Sequence, residues 1–144
     1  MFVTLWLGVL ELSTGRLTFV NAGHEDAMLC RKGAAVTPLQ SKHHFVVGTM
    51  PNVPYRDCEA RLEVGEKLLL FTDGVTEATD AENRMFTRER LVEALNECCD
   101  RSPQEILETV HMRVDAFTGS APQFDDLTML CVERTARSGV GRSP

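Results

Sequence analysis

The sequence predicts an α+β fold: strands come first, two helices follow, and one strand returns to the sheet. Three features predict this order. Short segments rich in β-branched and aromatic residues, separated by turn residues, fill the first half of the chain. Two segments with helical spacing of apolar residues come next, and an apolar segment of strand length follows them. A chain of 144 residues fits a single domain with a sizeable core.

The first half of the chain predicts antiparallel strands. Residues 2–12 and 16–20 flank a Ser-Thr-Gly turn and predict a hairpin, and residues 27–30 and 35–39 flank a second turn and predict a weaker one. The glycine and two prolines within residues 43–55 predict a loop over a strand edge. The predicted sheet is therefore mainly antiparallel.

The second half predicts a buried strand and the helices. Residues 58–62 alternate polar and apolar, whereas residues 67–72 are almost continuously apolar, as expected of a central strand covered on both faces. Helices are predicted over about 87–99, with Thr87 as a possible N-cap, and over about 103–118, where Ser-Pro-Gln-Glu forms a capping-box start. Both helices are expected on one face of the sheet. A last strand is predicted over 127–132, and residues 135–144 predict a disordered tail.

Composition excludes several classes of function. The net charge of -6 argues against nucleic-acid binding, which depends on clustered Lys and Arg. The 5 cysteines show no zinc or redox spacing and are expected to be reduced, mostly buried thiols. Residues 1–10 are apolar but lack the basic start and cleavage site of a signal peptide, and no segment has the roughly 20 apolar residues of a membrane span. We therefore expect a cytoplasmic protein without membrane contact.

Two acidic motifs are candidates for chemistry. The first is Asp73-Gly74, which ends the apolar strand, so that a rigid element would hold a carboxylate beside flexible backbone. Taken alone, this motif is explained more simply by an ordinary Asp-Gly turn. The second is Asp125-Asp126, just before the last strand, where two adjacent carboxylates repel each other unless water or a cation neutralises them. A solvated turn explains it without any ligand.

Taken with the segments before them, these motifs carry a family resemblance. The hairpin that ends in Asn21-Ala22-Gly23-His24, the Thr-Asp-Gly-Val-Thr-Glu strand end and the Asp-Asp-Leu-Thr strand start occur in the order found in PPM-type, metal-dependent serine/threonine protein phosphatases of the SpoIIE-like branch. The chain resembles the C-terminal part of that domain over residues 1–134. The fold that the resemblance implies is part of the PPM-type sandwich.

The resemblance implies hydrolysis of phosphoserine or phosphothreonine on a protein, by water activated between two Mn²⁺ or Mg²⁺ ions rather than by a side-chain nucleophile. Carried over position by position, Asp73 and Asp125 would be metal ligands, while Asp126, Gly74 and His24 would support the site from outside the ligand set. The substrate class implied is a bacterial sigma-factor regulatory protein, such as an anti-sigma-factor antagonist. Glu25-Asp26 replaces the Asn-Pro that usually follows this histidine. Shaping the turn is therefore the favoured role of His24, and approach to the phosphate is the alternative.

The upstream Asp-Gly motif of the family, whose aspartate bridges both metals, does not occur in this sequence. We therefore expect the isolated chain to be weakly active or inactive. We also expect apolar residues such as Val3, Leu5 and Leu7, or the residues that alternate with them, to stay uncovered unless a missing N-terminal half or another chain packs on them. Two alternatives remain at this point: a non-catalytic module that binds a partner or regulates such a phosphatase, and a fragment without independent function.

The other aromatic and imidazole side chains predict ordinary roles. His43 and His44 lie in a polar loop and are expected to be solvated, without a partner carboxylate. His111 is expected on the surface or core edge of the second helix, and Trp6 is expected to pack within the sheet.

Overall fold

The computed structural model describes residues 1–122 and 125–136 of the chain. It consists of strands and helices in the predicted order, with one additional short helix. The strands are β1 (Leu5–Leu10), β2 (Arg16–Ala22), β3 (Met28–Cys30), β4 (Thr37–Pro38), β5 (Cys58–Arg61), β6 (Lys67–Phe71) and β7 (Met129–Glu133). The helices are α1 (Asp73–Thr76), α2 (Thr87–Cys98) and α3 (Pro103–Thr118).

The strands form two sheets, and every pair of strands is antiparallel. One sheet has the order β1-β2-β5, and the other has the order β4-β3-β6-β7. The β1-β2 hairpin and the weaker β3-β4 hairpin are both confirmed. The predicted loop over 43–55 lacks named strands, although single bridges tie Val47 to Val3 and His43 to Asn21.

The two sheets and the helices stack in three layers. Alternate side chains of β6 explain this arrangement, because successive residues of a strand point to opposite faces. Leu69 and Phe71 pack with α2 and α3 residues in one core, whereas Leu68 belongs to a second core with Leu17 and Phe19 of β2. Strand β6 is therefore covered on both faces, as its apolar run predicts, and α2 and α3 lie on the same side of the four-stranded sheet.

The helix starts differ in how well the sequence predicts them. Helix α3 begins with the predicted capping box, in which the Ser102 side chain accepts from the backbone N–H of Glu105 and the Glu105 side chain reaches back. The prediction of Thr87 as an N-cap is wrong, because Phe86 holds that position and no side-chain cap bond forms. Thr87 is instead the first helical residue with a φ of 71°, a strained value for a β-branched side chain.

The outer face of the β1-β2-β5 sheet is apolar and open. Val3, Leu5, Leu7 and Val9 are all exposed, while Trp6 turns inward and stacks on Phe19 with ring centroids 5.3 Å apart. The expectation that Val3, Leu5 and Leu7 stay uncovered in this chain is confirmed. Nowhere in residues 1–122 and 125–136 is there a helix long and apolar enough to span a bilayer. Most of the predicted tail over 135–144 lies outside the described residues.

Candidate functional site

The ladder between β6 and β7 brings the two acidic motifs to one edge of the four-stranded sheet. Phe71 pairs with Met129 as the last register position of that ladder. The contact continues one residue further, where the Thr72 N–H donates to the Thr128 carbonyl at 3.0 Å. Asp73 follows Thr72 at the end of β6, and Asp125-Asp126 precede Thr128 on the approach to β7. Two motifs that are far apart in sequence therefore meet.

Gly74 sets the closeness of the two segments. A β-carbon built on Gly74 would lie 2.6 Å from the backbone oxygen of Asp126 and 3.6 Å from the β-carbon of Asp125. The first distance is well inside van der Waals contact, so only glycine lets the two backbones approach this closely. The side chains of Asp73 and Asp125 are both exposed at this point. Each carboxylate also accepts the backbone N–H of the following residue, at 3.1 Å for Asp73 and 2.7 Å for Asp125.

Thr72 links the acidic loop to β6 through its side chain, a contact that its sequence position alone does not predict. Its hydroxyl donates to the Asp126 carbonyl at 3.2 Å and accepts the Thr128 N–H at 3.3 Å. It therefore fastens the acidic loop to the end of β6. A threonine directly before the Asp-Gly pair is the only sequence signal for this role.

The loop that carries His24 reaches the same edge of the sheet. Met28 of β3 pairs with Leu69 of β6 in an antiparallel register, so the residues before Met28 run toward the Asp73 end of β6. Asn21, which is fully buried, holds this loop by accepting the His24 N–H at 2.8 Å and donating to the His24 carbonyl at 2.9 Å. Among the described residues, the ring of His24 has a hydrogen-bond contact with the Thr4 hydroxyl, at 3.5 Å. The turn-shaping function therefore belongs to Asn21 rather than to the imidazole of His24.

The expectation that His43 lacks a partner carboxylate is wrong. Its Nε2 lies 3.2 Å from the Asp26 carboxylate, which also accepts the Ser41 hydroxyl at 2.7 Å. Arg88 at the start of α2 completes this network by pairing with Glu25 at 2.6 Å. Glu25 and Asp26, the two residues that depart from the family pattern, thus anchor the His24 loop to helix α2. The His43 pair joins residues 17 positions apart, and no local spacing rule predicts it.

The remaining histidines, His44 and His111, each have a contact of their own. His44 is also not simply solvated, because its Nε2 contacts the backbone of Arg56 and its ring meets Tyr55 edge to face. His111 lies on α3 and is more than half exposed, as expected, with its Nδ1 2.9 Å from the Asp115 carboxylate.

The cysteines are reduced thiols, and several of them have a raised pKa. All 5 are free, and Cys30, Cys98 and Cys99 are buried, as predicted. Burial raises the pKa of the Cys131 thiol to about 11 and raises the pKa of Cys30 still further. Thiols of this kind stay protonated at neutral pH and are inert.

The donor set at the sheet edge suits a hard divalent cation. Asp73 and Asp125 offer carboxylate oxygens, the ligands that Mg²⁺ and Mn²⁺ prefer. The glycine contact leaves space where a side chain would otherwise separate the two segments. The described residues contain no group of three or more His, Cys, Asp or Glu side chains placed to hold a metal. These two aspartates fit part of a coordination shell, and other ligands or water would have to complete it.

Comparison with known proteins supports a phosphatase relationship. The profile of the family Stage II sporulation protein E (SpoIIE) matches residues 1–135. Protein IcfG of Synechocystis is 35% identical over 134 residues, and Phosphoserine phosphatase RsbU of Bacillus subtilis is 27% identical over 138 residues. Each alignment covers 93% of this chain, but only 21% of IcfG and 39% of RsbU.

Solved structures show the same fold. The phosphatase domain of the cell fate determinant SpoIIE from Bacillus subtilis superposes with a TM-score of 0.72 at 19% identity, covering 94% of this chain and 60% of that domain. A structure of the same domain presoaked with Mn gives a TM-score of 0.70 at 20% identity, with 92% of this chain and 56% of that one covered. The chain thus spans little more than half of the domain that it resembles. Its family match over nearly its whole length shows that the chain belongs to the SpoIIE family of phosphatase domains.

Proposed function

We propose that this chain is the C-terminal portion of a domain that removes phosphate from phosphoserine or phosphothreonine on a protein with Mn²⁺ or Mg²⁺. The observation that carries the proposal is the close approach of the Asp73-Gly74 and Asp125-Asp126 segments, which only glycine permits. Membership of a family of phosphatase domains supports it. The Mn-presoaked SpoIIE domain is consistent with manganese as the cation. We expect this activity in the cytoplasm.

In the proposed site, Asp73 and Asp125 contribute two carboxylates to the cations. Bound cations of this type neutralise phosphate charge and activate water for phosphoryl transfer. The chain's own residues hold the ligands in place: Thr72 fastens the acidic loop, and Gly74 allows the two segments to touch. Asp126 lies beside the proposed ligands. Its backbone carbonyl accepts a hydrogen bond from the Thr72 hydroxyl, and this bond connects it to the site.

The remaining ligands are proposed to lie in the part of the SpoIIE domain that this chain does not span. The described residues hold no group of three or more ligand side chains, so these two carboxylates need additional donors for tight binding of two ions. We therefore propose that the 144 residues by themselves bind a cation weakly and hydrolyse phosphoproteins weakly or not at all. The sequence resemblance points to a sigma-factor regulatory protein, such as an anti-sigma-factor antagonist, as the substrate.

A second candidate function is a partner-binding module without catalysis. The open apolar face formed by Val3, Leu5, Leu7 and Val9 favours it, because contiguous exposed apolar surface marks interaction sites. The same face would be covered by the rest of the domain in the catalytic proposal. Both candidate functions therefore involve this surface, and they are distinguished by whether the protein hydrolyses phosphoprotein.

The test is Mn²⁺-dependent release of phosphate from a phosphoserine protein by the complete protein, compared with its Asp73→Asn variant. The expected result is a loss of roughly 100-fold or more, the scale of losing part of a preorganised electrostatic site. Asp100→Asn is the matched control, since Asp100 is an exposed carboxylate just beyond α2 and should retain full activity. Equal rates in the wild type and Asp73→Asn would remove Asp73 from the reaction. Capture of a partner without turnover would favour the second candidate.

A further inference from the structure

Strand β1 forms an edge of the β1-β2-β5 sheet. Strand β2 pairs with one side of it, and within residues 1–122 and 125–136 no strand pairs with the other side. The isolated bridge between Val3 and Val47 lies before β1 and does not involve Leu5–Leu10. An edge strand of this kind presents a row of unpaired N–H and C=O groups, to which a further strand can add.

The hairpin between β1 and β2 determines which backbone groups face the open edge. Directly after β1, the Glu11 N–H donates to the Arg16 carbonyl at 2.8 Å. Residues that bond to the same neighbouring strand alternate along an antiparallel strand. The odd-numbered residues of β1 therefore bond to β2. The even-numbered residues Trp6, Gly8 and Leu10 direct their N–H and C=O groups to the open edge.

The other three sheet edges among the described residues are protected against pairing. Strand β4 has only two residues, and one of them is Pro38. Strand β5 carries the exposed charges of Glu59 and Arg61, and β7 has an acidic residue near each end, Asp126 before it and Glu133 as its last residue. Short length, proline and charge are the devices that keep edge strands from associating. Strand β1 has six residues, and none of them is charged or proline.

The side chains along the open edge are also suited to contact with another apolar strand. Leu5, Leu7 and Val9 lie on the same face of β1, and all three are exposed. Apolar side chains that lie opposite one another on paired strands stabilise the pair. A strand that pairs with Leu5–Leu10 would remove no charged side chain of β1 from water. These features favour an uncharged strand as the partner, and β1 of another copy is such a strand.

We propose that β1 pairs with β1 of a second copy of this chain, antiparallel and about a two-fold axis at Leu7. The outward groups fit this register, because Trp6 then exchanges hydrogen bonds with Gly8 of the second copy. Leu7 lies opposite Leu7, and Leu5 lies opposite Val9. These are non-hydrogen-bonded positions, at which side chains of antiparallel strands come closest. Each contact occurs twice, as in any two-fold interface.

The pairing joins two three-stranded sheets edge to edge. It uses the side of β1 rather than the open apolar face, so the rest of the domain can still cover that face. One pair of strands buries less than the roughly 1,600 Å² of a standard interface, so we expect a reversible dimer with a dissociation constant in the micromolar range. The inference does not depend on the proposed phosphatase function.

The test measures the mass of the 144-residue chain by size-exclusion chromatography with light scattering, from about 1 μM to about 1 mM protein. The mass should rise from 16.0 kDa to twice that value and then stay constant, because each copy has one open β1 edge. A mass that stays at 16.0 kDa over the whole range would overturn the proposal. Growth beyond the dimer would overturn it as well.

Leu7→Lys is the variant that tests the contact at the two-fold axis. It places two ammonium groups opposite each other and removes the apolar contact, so the dissociation constant should rise at least about tenfold. Leu130→Lys is the matched control, because it makes the same change on the edge strand β7 and its side chain is 57% exposed, against 59% for Leu7. The control should dimerise like the wild type. Loss of the dimer in Leu130→Lys, or a dimer that persists in Leu7→Lys, would overturn the proposal.

A charge swap tests the position of the axis and separates a lost contact from a lost fold. Leu7→Glu should be monomeric by itself, like Leu7→Lys, because like charges then meet. An equal mixture of the two variants should form a heterodimer, because a lysine then lies opposite a glutamate. Circular dichroism of each variant checks that the strands are kept, as expected for a change at an exposed side chain. A mixture of folded variants that stays monomeric would overturn the pairing at Leu7.

Discussion

Gly74→Ala tests whether backbone contact positions the two acidic segments. The new β-carbon would lie 2.6 Å from the Asp126 carbonyl oxygen and 3.2 Å from its carbonyl carbon, and both are backbone atoms that cannot rotate away. The loop before β7 would have to move by roughly 1 Å to restore an ordinary contact. Overpacking of this kind costs about 1–3 kcal/mol of the free energy of unfolding.

The same displacement should weaken cation binding. Sites of this type need their ligands within about 0.5 Å of the productive geometry, and loss of a supporting contact typically lowers metal affinity about 10- to 100-fold. Urea unfolding followed by circular dichroism measures the stability, and isothermal titration with Mn²⁺ measures the affinity. We expect Gly74→Ala to lower both quantities.

Gly33→Ala is the matched control. Gly33 has a φ of 72°, and a β-carbon added to it would meet no atom within 4 Å, so alanine there costs about 1–2 kcal/mol through backbone conformation alone. This control should lose stability while keeping its Mn²⁺ affinity. Unchanged stability and unchanged Mn²⁺ affinity in Gly74→Ala would refute the idea that this glycine sets the spacing of the site.

Three further predictions concern the scaffold. Arg134→Ala should lower the free energy of unfolding by about 2–4 kcal/mol. The reason is that the guanidinium donates to the carbonyls of Leu12, Ser13 and Leu62 and so joins the two sheets. An unchanged urea midpoint would contradict this. Asn21→Ala should cost about 1–3 kcal/mol by the same measurement, since the partly buried N–H and carbonyl of His24 lose their partner. A neutral effect would show that water replaces the amide. Asp80 predicts a pH effect: burial acts to raise its pKa, but hydrogen bonds from Arg84 and from the Glu82 backbone together outweigh burial and hold the pKa below its ordinary value. The ionised Asp80 contributes to the free energy of unfolding above the unfolded pKa of about 4, and this contribution is lost as pH falls through the lower folded pKa. Asp80→Asn should therefore flatten the acid part of the curve of stability against pH. Identical curves for the wild type and the variant would show that Asp80 does not contribute.

The sequence predicts the regular elements well where local signals are strong. The apolar run of residues 67–72 predicts β6 and its coverage on both faces, and the Ser102 capping box predicts the start of α3. Helix α1 is missed because its four residues are too few for any periodicity to show. The start of α2 is misjudged because its Thr87 adopts a positive φ that propensities disfavour.

The site is harder to predict from the sequence, because its contacts join residues that are far apart along the chain. No spacing rule links Asp73 with Asp125, and only the family resemblance suggests that they meet. The pair of Asp26 with His43 and the contact of Arg88 with Glu25 depend equally on tertiary packing. Local patterns thus identify the strand ends, but the register between strands decides which ends share an edge.

That register also explains what holds the two acidic segments together. Like charges at close range repel, so the aspartates themselves cannot supply the force that holds their segments together. The force comes from the β6-β7 ladder, which ends with the Thr72 bonds to Asp126 and Thr128. A slip of one residue would turn every side chain of β7 to the opposite face and would bury Leu130 in place of Cys131, so packing against the helices opposes it. The acidic edge is therefore preorganised by backbone pairing and core packing rather than by its own charges.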